Sequence, residues 1–239
     1  VELKVNAIML RAIDYKDNDK ILTLLTAEMG KISAGIRGVK KAGAKLKFAA
    51  QPFCFAEYVL TKTGDKYTVI QAAENESFYD LRLDICKFYA ASSVCEAALA
   101  VTYDSADCNN IFYAAINALT AMCNGDECVA LIKYLIEVLE LSGYGLGLDN
   151  CSECGSALIS ADKMRFDMNV GCFTCWDCSD GIGASGVTYN VLRMVAGKSY
   201  DKNFITDDGK KRALRLLKEY FVYKTDSKCL SLSEYIRLL

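Results

Sequence analysis

Two Cys-x2-Cys pairs separated by some twenty residues constrain this chain more tightly than any other feature of its sequence. Five of its twelve cysteines fall within 28 residues, as Cys151-x2-Cys154 and Cys172-x2-Cys175-x2-Cys178. A Cys-x2-Cys turn carries two sulfurs on one small loop, and two such loops enclose a tetrahedral ion at Zn–S distances of about 2.3 Å. The intervening span is 17 residues if Cys172 and Cys175 close the site, and 20 if Cys175 and Cys178 do. Paired knuckles usually span about 15–20 residues, which mildly favours the first choice. Gly155 and Gly171 supply turn geometry beside the knuckles. A redox reading of the same cysteines would need a βαβ setting, which the neighbouring sequence lacks. The remaining cysteines, Cys54, Cys86, Cys95, Cys108, Cys123, Cys128 and Cys229, are scattered and read as small apolar residues at or near core positions.

The chain contains no histidine. Any zinc held here is therefore coordinated by thiolates alone, and four thiolates leave no open position, so the ion is structural rather than catalytic. The same absence removes Ser-His-Asp and Cys-His nucleophilic sites, His-ligated catalytic zinc and HExxH helices. Conventional enzyme readings lose most of their chemistry.

Charge is unevenly placed. The 239 residues carry a net charge of −2, but residues 1–66 hold twelve basic and seven acidic side chains, so the remainder is net −7. No acid occurs between Glu28 and Glu57, a gap that contains Lys31, Arg37, Lys40, Lys41, Lys45 and Lys47. A basic N-terminal region thus precedes an acidic body. The opening Val1-Glu2-Leu3-Lys4 has no uninterrupted apolar run of a secretory signal. The richest apolar stretch, Val129–Leu141, is broken by Lys133, Glu137 and Glu140, short of the ~20 residues of a membrane span. A cytoplasmic setting, with reduced or metal-bound cysteines, is the expectation.

Residues 1–75 read as short strands. Val5–Arg11 is apolar at both alternating sets of positions, a polar turn follows at Asp14–Asp19, and Ile21–Thr26 and Lys31–Arg37 flank a tight connection at Met29-Gly30-Lys31. Gly38–Lys47 is a Gly/Lys loop, and Phe53–Thr61 and Tyr67–Ala72 form a hairpin. Five short strands suit a small OB-fold barrel. From Asp80 the apolar period becomes helical through Leu81, Ile85, Phe88, Tyr89, Val94 and Ala98. Further helices are expected at Ile111–Cys123, Glu127–Ser142, Val187–Ala196, Gly209–Lys224 and Ser231–Leu239. The expected architecture is α+β: a five-stranded OB-fold domain over 1–78, then an all-helical domain over 79–239 carrying a four-cysteine zinc-finger insertion at 149–186.

This order of parts resembles the RecO family of bacterial recombination mediators and DNA-annealing proteins. The likeness is sharpest in Ala7-Ile8-Met9-Leu10-Arg11-Ala12-Ile13-Asp14-Tyr15, followed by Asp19-Lys20-Ile21-Leu22-Thr23-Leu24-Leu25-Thr26. It continues through Gly30-Lys31-Ile32-Ser33-Ala34 and Ile36-Arg37-Gly38-Val39-Lys40-Lys41. The family pattern is a strand, a Y-x-E-x-D/S-K/R-I turn, and a G-K leading to R-G-x-R/K. Asp17 or Asn18 stands here where the acidic turn residue is usual. The cysteine region is similar to the family's Cys-x2-Cys-Gly and Gly-Gly-x2-Cys-x2-Cys, with Cys172 at a glycine position, and that register nominates Cys151, Cys154, Cys175 and Cys178 as ligands.

The resemblance implies binding of single- and double-stranded DNA, annealing of complementary strands, contact with the C-terminal peptide of the single-strand binding protein SSB, and cooperation with RecR in loading RecA. It also implies a bacterial, nucleoid-associated setting. Lys31, Arg37, Lys40, Lys41, Lys45 and Lys47 are the candidate DNA contacts, able to follow a phosphate backbone without reading bases. Phe48, Phe53, Phe55 and Tyr58 lie nearby but are expected in the barrel core. Lys210, Lys211, Arg212 and Arg215 are basic candidates for an acidic SSB peptide. A zinc-ribbon adaptor of transcription or RNA processing is the alternative built on the same barrel and knuckles. A magnesium nuclease through Asp14, Asp17 and Asp19 is the enzymatic alternative, against the plainer reading of a solvated turn.

Overall fold

The structure, a computed structural model, describes residues 2–104, 107–199 and 205–239. The chain forms two compact units, Val1–Gly125 and Asp126–Leu239. In the first, β1 (Glu2–Tyr15), β2 (Asp19–Thr26), β3 (Gly30–Ile36), β4 (Phe55–Thr63) and β5 (Lys66–Glu76) close into a barrel in the order β1-β2-β3-β5-β4. Only β3 and β5 run parallel; β1 pairs with β4 to close the circle. This is the five-stranded barrel expected from the strand pattern.

β1 is longer than the sequence suggested, and its two-sided apolar character has a structural cause. Val5, Ala7 and Met9 fill the barrel, while Ile8 and Leu10 are buried on its outer side. The register shifts between Met9 and Arg11, a bulge that resets the alternation so that Ala12 again packs inward. Two helices cover the outer side: α1 (Ile85–Val101) packs on β1 and α2 (Asn109–Asn124) on β2. Phe53 meets Phe88 of α1 and Phe55 meets Phe112 of α2, with ring centroids 5.5 and 5.8 Å apart. Tyr58 is fully buried and its hydroxyl donates to the Ala49 carbonyl at 2.9 Å, sealing the barrel end beneath the short 3-10 turn Phe48–Ala50. Tyr58 lies in the barrel core as expected and Phe48 packs against it, whereas Phe53 and the half-buried Phe55 pack on the covering helices instead of inside the barrel.

The helical region begins with a 3-10 turn at Tyr79–Arg82, and α1 starts only where Asp84 caps it, its carboxylate accepting the Lys87 N–H at 2.9 Å. Ile85, assigned to the apolar face by its spacing, is exposed; the buried surface of α1 is instead a broad small-residue face through Ala90, Ala91, Val94, Cys95, Ala97 and Ala98.

In the second unit, Asp126 caps α3 (Glu127–Leu141), whose polar stripe Lys133, Glu137 and Glu140 is turned outward while Leu131, Ile132, Leu135, Val138 and Leu139 are buried. A three-stranded antiparallel sheet follows, β6 (Lys163–Asp167), β7 (Cys172–Cys175) and β8 (Ile182–Ser185), ordered β7-β6-β8. The helices α4 (Gly186–Val195), α5 (Asp207–Thr225) and α6 (Leu230–Leu238) complete it. Met164, Phe166 and Phe173 share the buried side of the sheet. Phe166 stacks edge-on against Tyr220 at 5.2 Å, and Phe173 against Tyr189 at 5.0 Å. Gly171 enters β7 at φ +73, and a Cβ there would lie 2.2 Å from the Tyr220 hydroxyl, so both conformation and space require glycine. Of the seven scattered cysteines, Cys54, Cys95, Cys108, Cys128 and Cys229 are buried and Cys86 and Cys123 half-buried.

Candidate metal centre and basic cleft

The sheet sets the candidate metal centre. Cys151 and Cys154 occupy one loop before β6, and Cys175 and Cys178 bracket the turn that leaves β7. Their four sulfurs lie within 4.8 Å of one another. Four thiolates around a tetrahedral ion at about 2.3 Å stand about 3.8 Å apart; the Cys154 and Cys175 sulfurs are 3.7 Å apart. Backbone donors converge on the first sulfur: Cys151 Sγ accepts the N–H of Cys154 at 3.5 Å and of Cys175 at 3.2 Å. Cys178 N–H donates to the Cys175 carbonyl at 3.1 Å, and Gly155, at φ +75, closes the first loop by donating to the Cys151 carbonyl at 2.9 Å.

Cys172 stays outside this group. It stands three residues before Cys175 on one strand, so the two side chains leave opposite faces of the sheet. Its sulfur packs by Gly147 and faces the Val170 carbonyl at 3.7 Å. Loop length alone admitted either pair.

The four thiols bias one another. Cys154 is pulled down to about 6, chiefly by the Ser156 hydroxyl and amide. Cys151 is lowered as well: burial opposes ionisation, but the amides of Cys154, Cys175 and Glu153 outweigh it. The Cys154 thiolate first, with burial next, then pushes Cys175 up to about 11 and Cys178 up to about 12. Four ionised sulfurs at this spacing require a cation among them. The donor set therefore fits a thiophilic tetrahedral metal.

Trp176, the chain's single tryptophan, sits on the second knuckle. Arg165 and Lys163 approach its ring at 4.3 and 4.6 Å, and Arg165 donates to the Trp176 and Gly181 carbonyls at 2.9 and 3.0 Å. β6 thereby holds the turn that carries Cys175 and Cys178.

On the barrel, the loop after β3 displays its lysines because its apolar residues turn in. Val39 is buried and Leu46 packs on the core, while Arg37, Lys40, Lys41, Lys45 and Lys47 are exposed. Successive turns, with N–H groups of Lys41, Ala44 and Lys47 donating to Gly38, Lys41 and Ala44 carbonyls, keep the loop compact. Lys31 differs from the other five. Its ammonium donates to the Thr102 carbonyl at 2.6 Å at the end of α1 and lies 4.0 Å from Asp104, with the side chain only 19% exposed.

Two clefts adjoin this loop. The larger, about 480 Å³, is lined by Tyr15 and Lys16 at the β1–β2 turn, Lys20 and Ile21 of β2, Ser33 and Gly35 of β3, Arg37, and Asp65, Lys66 and Tyr67 at the β4–β5 turn. In OB-folds this face of strands 2 and 3, with the 1–2 and 4–5 loops, takes single-stranded nucleic acid. Lys16, Lys20, Lys66, Tyr15 and Tyr67 were not nominated from sequence. Their signal was the outward alternation on β3, which aims Ser33 and Gly35 at a common face. The smaller cleft, about 310 Å³, is lined by Asp14, Lys20, Lys40, Lys47, Val39, Ala50 and Gln51, so Lys20 borders both.

The three aspartates of the β1–β2 turn do not converge. Asp14 pairs with Lys40 at 2.7 Å and Lys20 at 3.5 Å, and Asp19 accepts the Gly38 N–H at 2.8 Å. Among the described residues, only the cysteine group gathers as metal ligands. A further groove of about 240 Å³ runs between β8 and α5, with Ile182 and Leu216 in its lining and Arg212, Arg215 and Glu219 around it. Lys210 is committed to Asp126 and Asp207 at 2.8 and 2.9 Å, and Arg212 to Asp208 at 2.8 Å.

A family model described as recombination protein O N terminal matches residues 1–78, and one described as recombination protein O C terminal matches residues 82–232. The chain belongs to the RecO family. A DNA repair protein RecO of Clostridium perfringens is 28% identical over 246 residues, covering 98% of each chain. RecO proteins of Desulforamulus reducens and Pelotomaculum thermopropionicum are 31% and 33% identical over about three quarters of this chain and 68% of theirs. This is a DNA repair protein of RecO type, built on a closed N-terminal barrel followed by helices and a tetracysteine group. No described helix is long and apolar enough to cross a membrane.

Proposed function

We propose that this RecO-family protein binds single- and double-stranded DNA on its barrel, anneals complementary strands, and acts with SSB and RecR to help load RecA. It does so in the bacterial cytoplasm, at the nucleoid, and without covalent chemistry of its own. The observation that carries this reading is the continuity of cation around the barrel. Lys20 joins the OB-type cleft, with Lys16, Arg37 and Lys66, to the loop bearing Lys40, Lys41, Lys45 and Lys47. Such a surface follows phosphates rather than bases. Holding two backbones there lowers their mutual repulsion, and base pairing drives the annealing. Tyr15 and Tyr67, in the same cleft, offer ring faces to unpaired bases.

The tetracysteine group holds structural zinc in this proposal. Bound zinc would cross-link the two knuckles, and Cys151, Cys154, Cys175 and Cys178 would hold it. The groove between β8 and α5 is the place for the acidic, hydrophobic SSB tail, with Leu216 and Ile182 for its apolar end and Arg215 for its charge.

Charge reversal at Arg37, Lys40 and Lys41 is expected to abolish oligonucleotide binding with the fold intact, and binding by the unaltered protein is expected to weaken steeply with salt. Unchanged affinity in the triple variant, or a flat salt titration, would remove the basis of this reading. Annealing of SSB-coated complementary oligonucleotides separates it from an RNA-processing adaptor, which has no reason to be active there.

A further inference from the structure

We propose that the 310 Å³ cleft beside the barrel is a phosphate seat whose resident anion is the carboxylate of Asp14, which a DNA phosphate displaces. This rests on the DNA-binding reading above and adds a residue that sets its strength.

Three ammonium groups, from Lys20, Lys40 and Lys47, border that cleft, and Asp14 is the one acid in its lining. Asp14 lies against two of them, at 2.7 Å to Lys40 and 3.5 Å to Lys20. Its carboxyl is held below the ordinary carboxylate value, first by the Lys40 hydrogen bond. Yet its side chain is 61% exposed, more than either lysine, so water and ions reach it. An exposed pair of this kind is weak and exchanges readily. A phosphodiester presents the same charge with its own released counterions behind it.

The pair is not needed to hold the loop in place. Gly38 N–H donates to Asp19 at 2.8 Å, Lys40 N–H donates to the Asn18 carbonyl at 3.1 Å, and Val39 is buried between them. Those backbone ties anchor the loop to the β1–β2 turn whatever the Lys40 ammonium touches. An Asp14 that merely stapled the loop would duplicate them. An Asp14 that occupies the seat lowers affinity for every anion by the same factor, and so limits weak binding to isolated phosphates more than binding to a continuous backbone.

Fluorescence anisotropy with a labelled thymidine oligonucleotide and with a labelled duplex tests this. Asp14→Asn is expected to tighten binding roughly 2–6-fold, and Asp17→Asn, the same charge change in the adjoining turn, by less than about 2-fold. In a Lys20→Gln/Lys40→Gln background, which removes both partners of Asp14, the gain from Asp14→Asn is expected to vanish. Thermal melting checks that each variant is folded. Unchanged or weaker binding by Asp14→Asn overturns the proposal, because a staple would loosen the lysines. A gain that persists without both Lys20 and Lys40 also overturns it, because it would be generic charge. Failure of the unaltered protein to bind either probe would defeat the DNA-binding reading itself, and this proposal with it.

Discussion

Phe166 joins the sheet beside the tetracysteine group to the helices, and its removal should strongly destabilise that unit whether or not metal is bound. The residue is fully buried on β6, opposite Phe173 on one side and Ile182 on the other. Its ring lies 4.9 Å from that of Phe173 and 5.2 Å, edge-on, from that of Tyr220 on α5. Phe166→Ala removes a whole ring from a site whose neighbours are sheet and helix, so little collapse is available, and about 3–5 kcal/mol is expected. That is a large part of the roughly 5–15 kcal/mol that a domain usually has. For a unit of this size it corresponds to a fall of about 10–20 °C in Tm. Trp176 makes the measurement specific. As the chain's single tryptophan, on the knuckle beside β7, its fluorescence reports this unit alone, whereas far-UV circular dichroism sees both. Urea titrations of the unaltered and Phe166→Ala proteins, each with and without chelator, should show the tryptophan transition moved by the substitution in both conditions. A shift below about 1 kcal/mol, or one seen only with metal present, would show that the ion and not the aromatic contacts holds the sheet to α5.

Cys178→Ser should abolish stoichiometric zinc uptake, measured by metal analysis after dialysis, while Cys172→Ser should retain it; equal effects would contradict the geometry of the knuckles. Asp126 caps α3 and pairs with Lys210; burial raises its carboxyl, but the Lys210 and Val129 hydrogen bonds outweigh that and leave it lowered. Its contribution is therefore complete above the ordinary carboxylate value of about 3.9 and is lost as pH falls through the lower folded value. Asp126→Asn should flatten the acid limb of the second unit's stability curve, and an unchanged limb would rule out this carboxylate as a source. Oligonucleotide affinity at fixed ionic strength should stay flat between about pH 6 and 8, since no histidine is present to titrate; a sigmoid in that window would implicate a group outside the lysine and arginine surface.

The barrel was legible because five alternating strands in 75 residues have few other ways to bury their apolar sides. Alternation alone could not show that β1 is apolar on both sides because helices cover its outside, nor could it locate the bulge between Met9 and Arg11. Those depend on α1 and α2, which lie far along the chain. The change of period near residue 79 marks a change of element type, while packing groups α1 and α2 with the barrel in one compact unit. The knuckles were legible as a pair of pairs, and the family register already nominated Cys178 over Cys172. Loop length, which mildly favoured Cys172, carries no strand parity, and parity is the physical reason that the fold gathers Cys151, Cys154, Cys175 and Cys178. Lys31 shows the limit for charges. Its neighbours in sequence are exposed loop lysines, and only the fold reveals that its ammonium ends at a carbonyl 71 residues away.

The absence of histidine and the split of charge bear on one another. In the second unit, cations sit beside acids: Lys198 with Asp149, Lys210 with Asp126 and Asp207, Arg212 with Asp208 and Arg237 with Glu234. These pairs cancel at short range, and the excess acid of that unit adds nothing that attracts a polyanion. On the barrel loop, five exposed cations between Arg37 and Lys47 face one partner acid, Asp14. Lysine and arginine keep their charge across the physiological range, so this contrast does not depend on pH as an imidazole surface would. The titratable chemistry is confined to the sulfurs, where a bound cation would settle it by holding all four as thiolates. A cationic barrel surface and a tetracysteine group thus share a chain without sharing a proton, and the charge that would hold DNA is decoupled from the charge that would hold a metal.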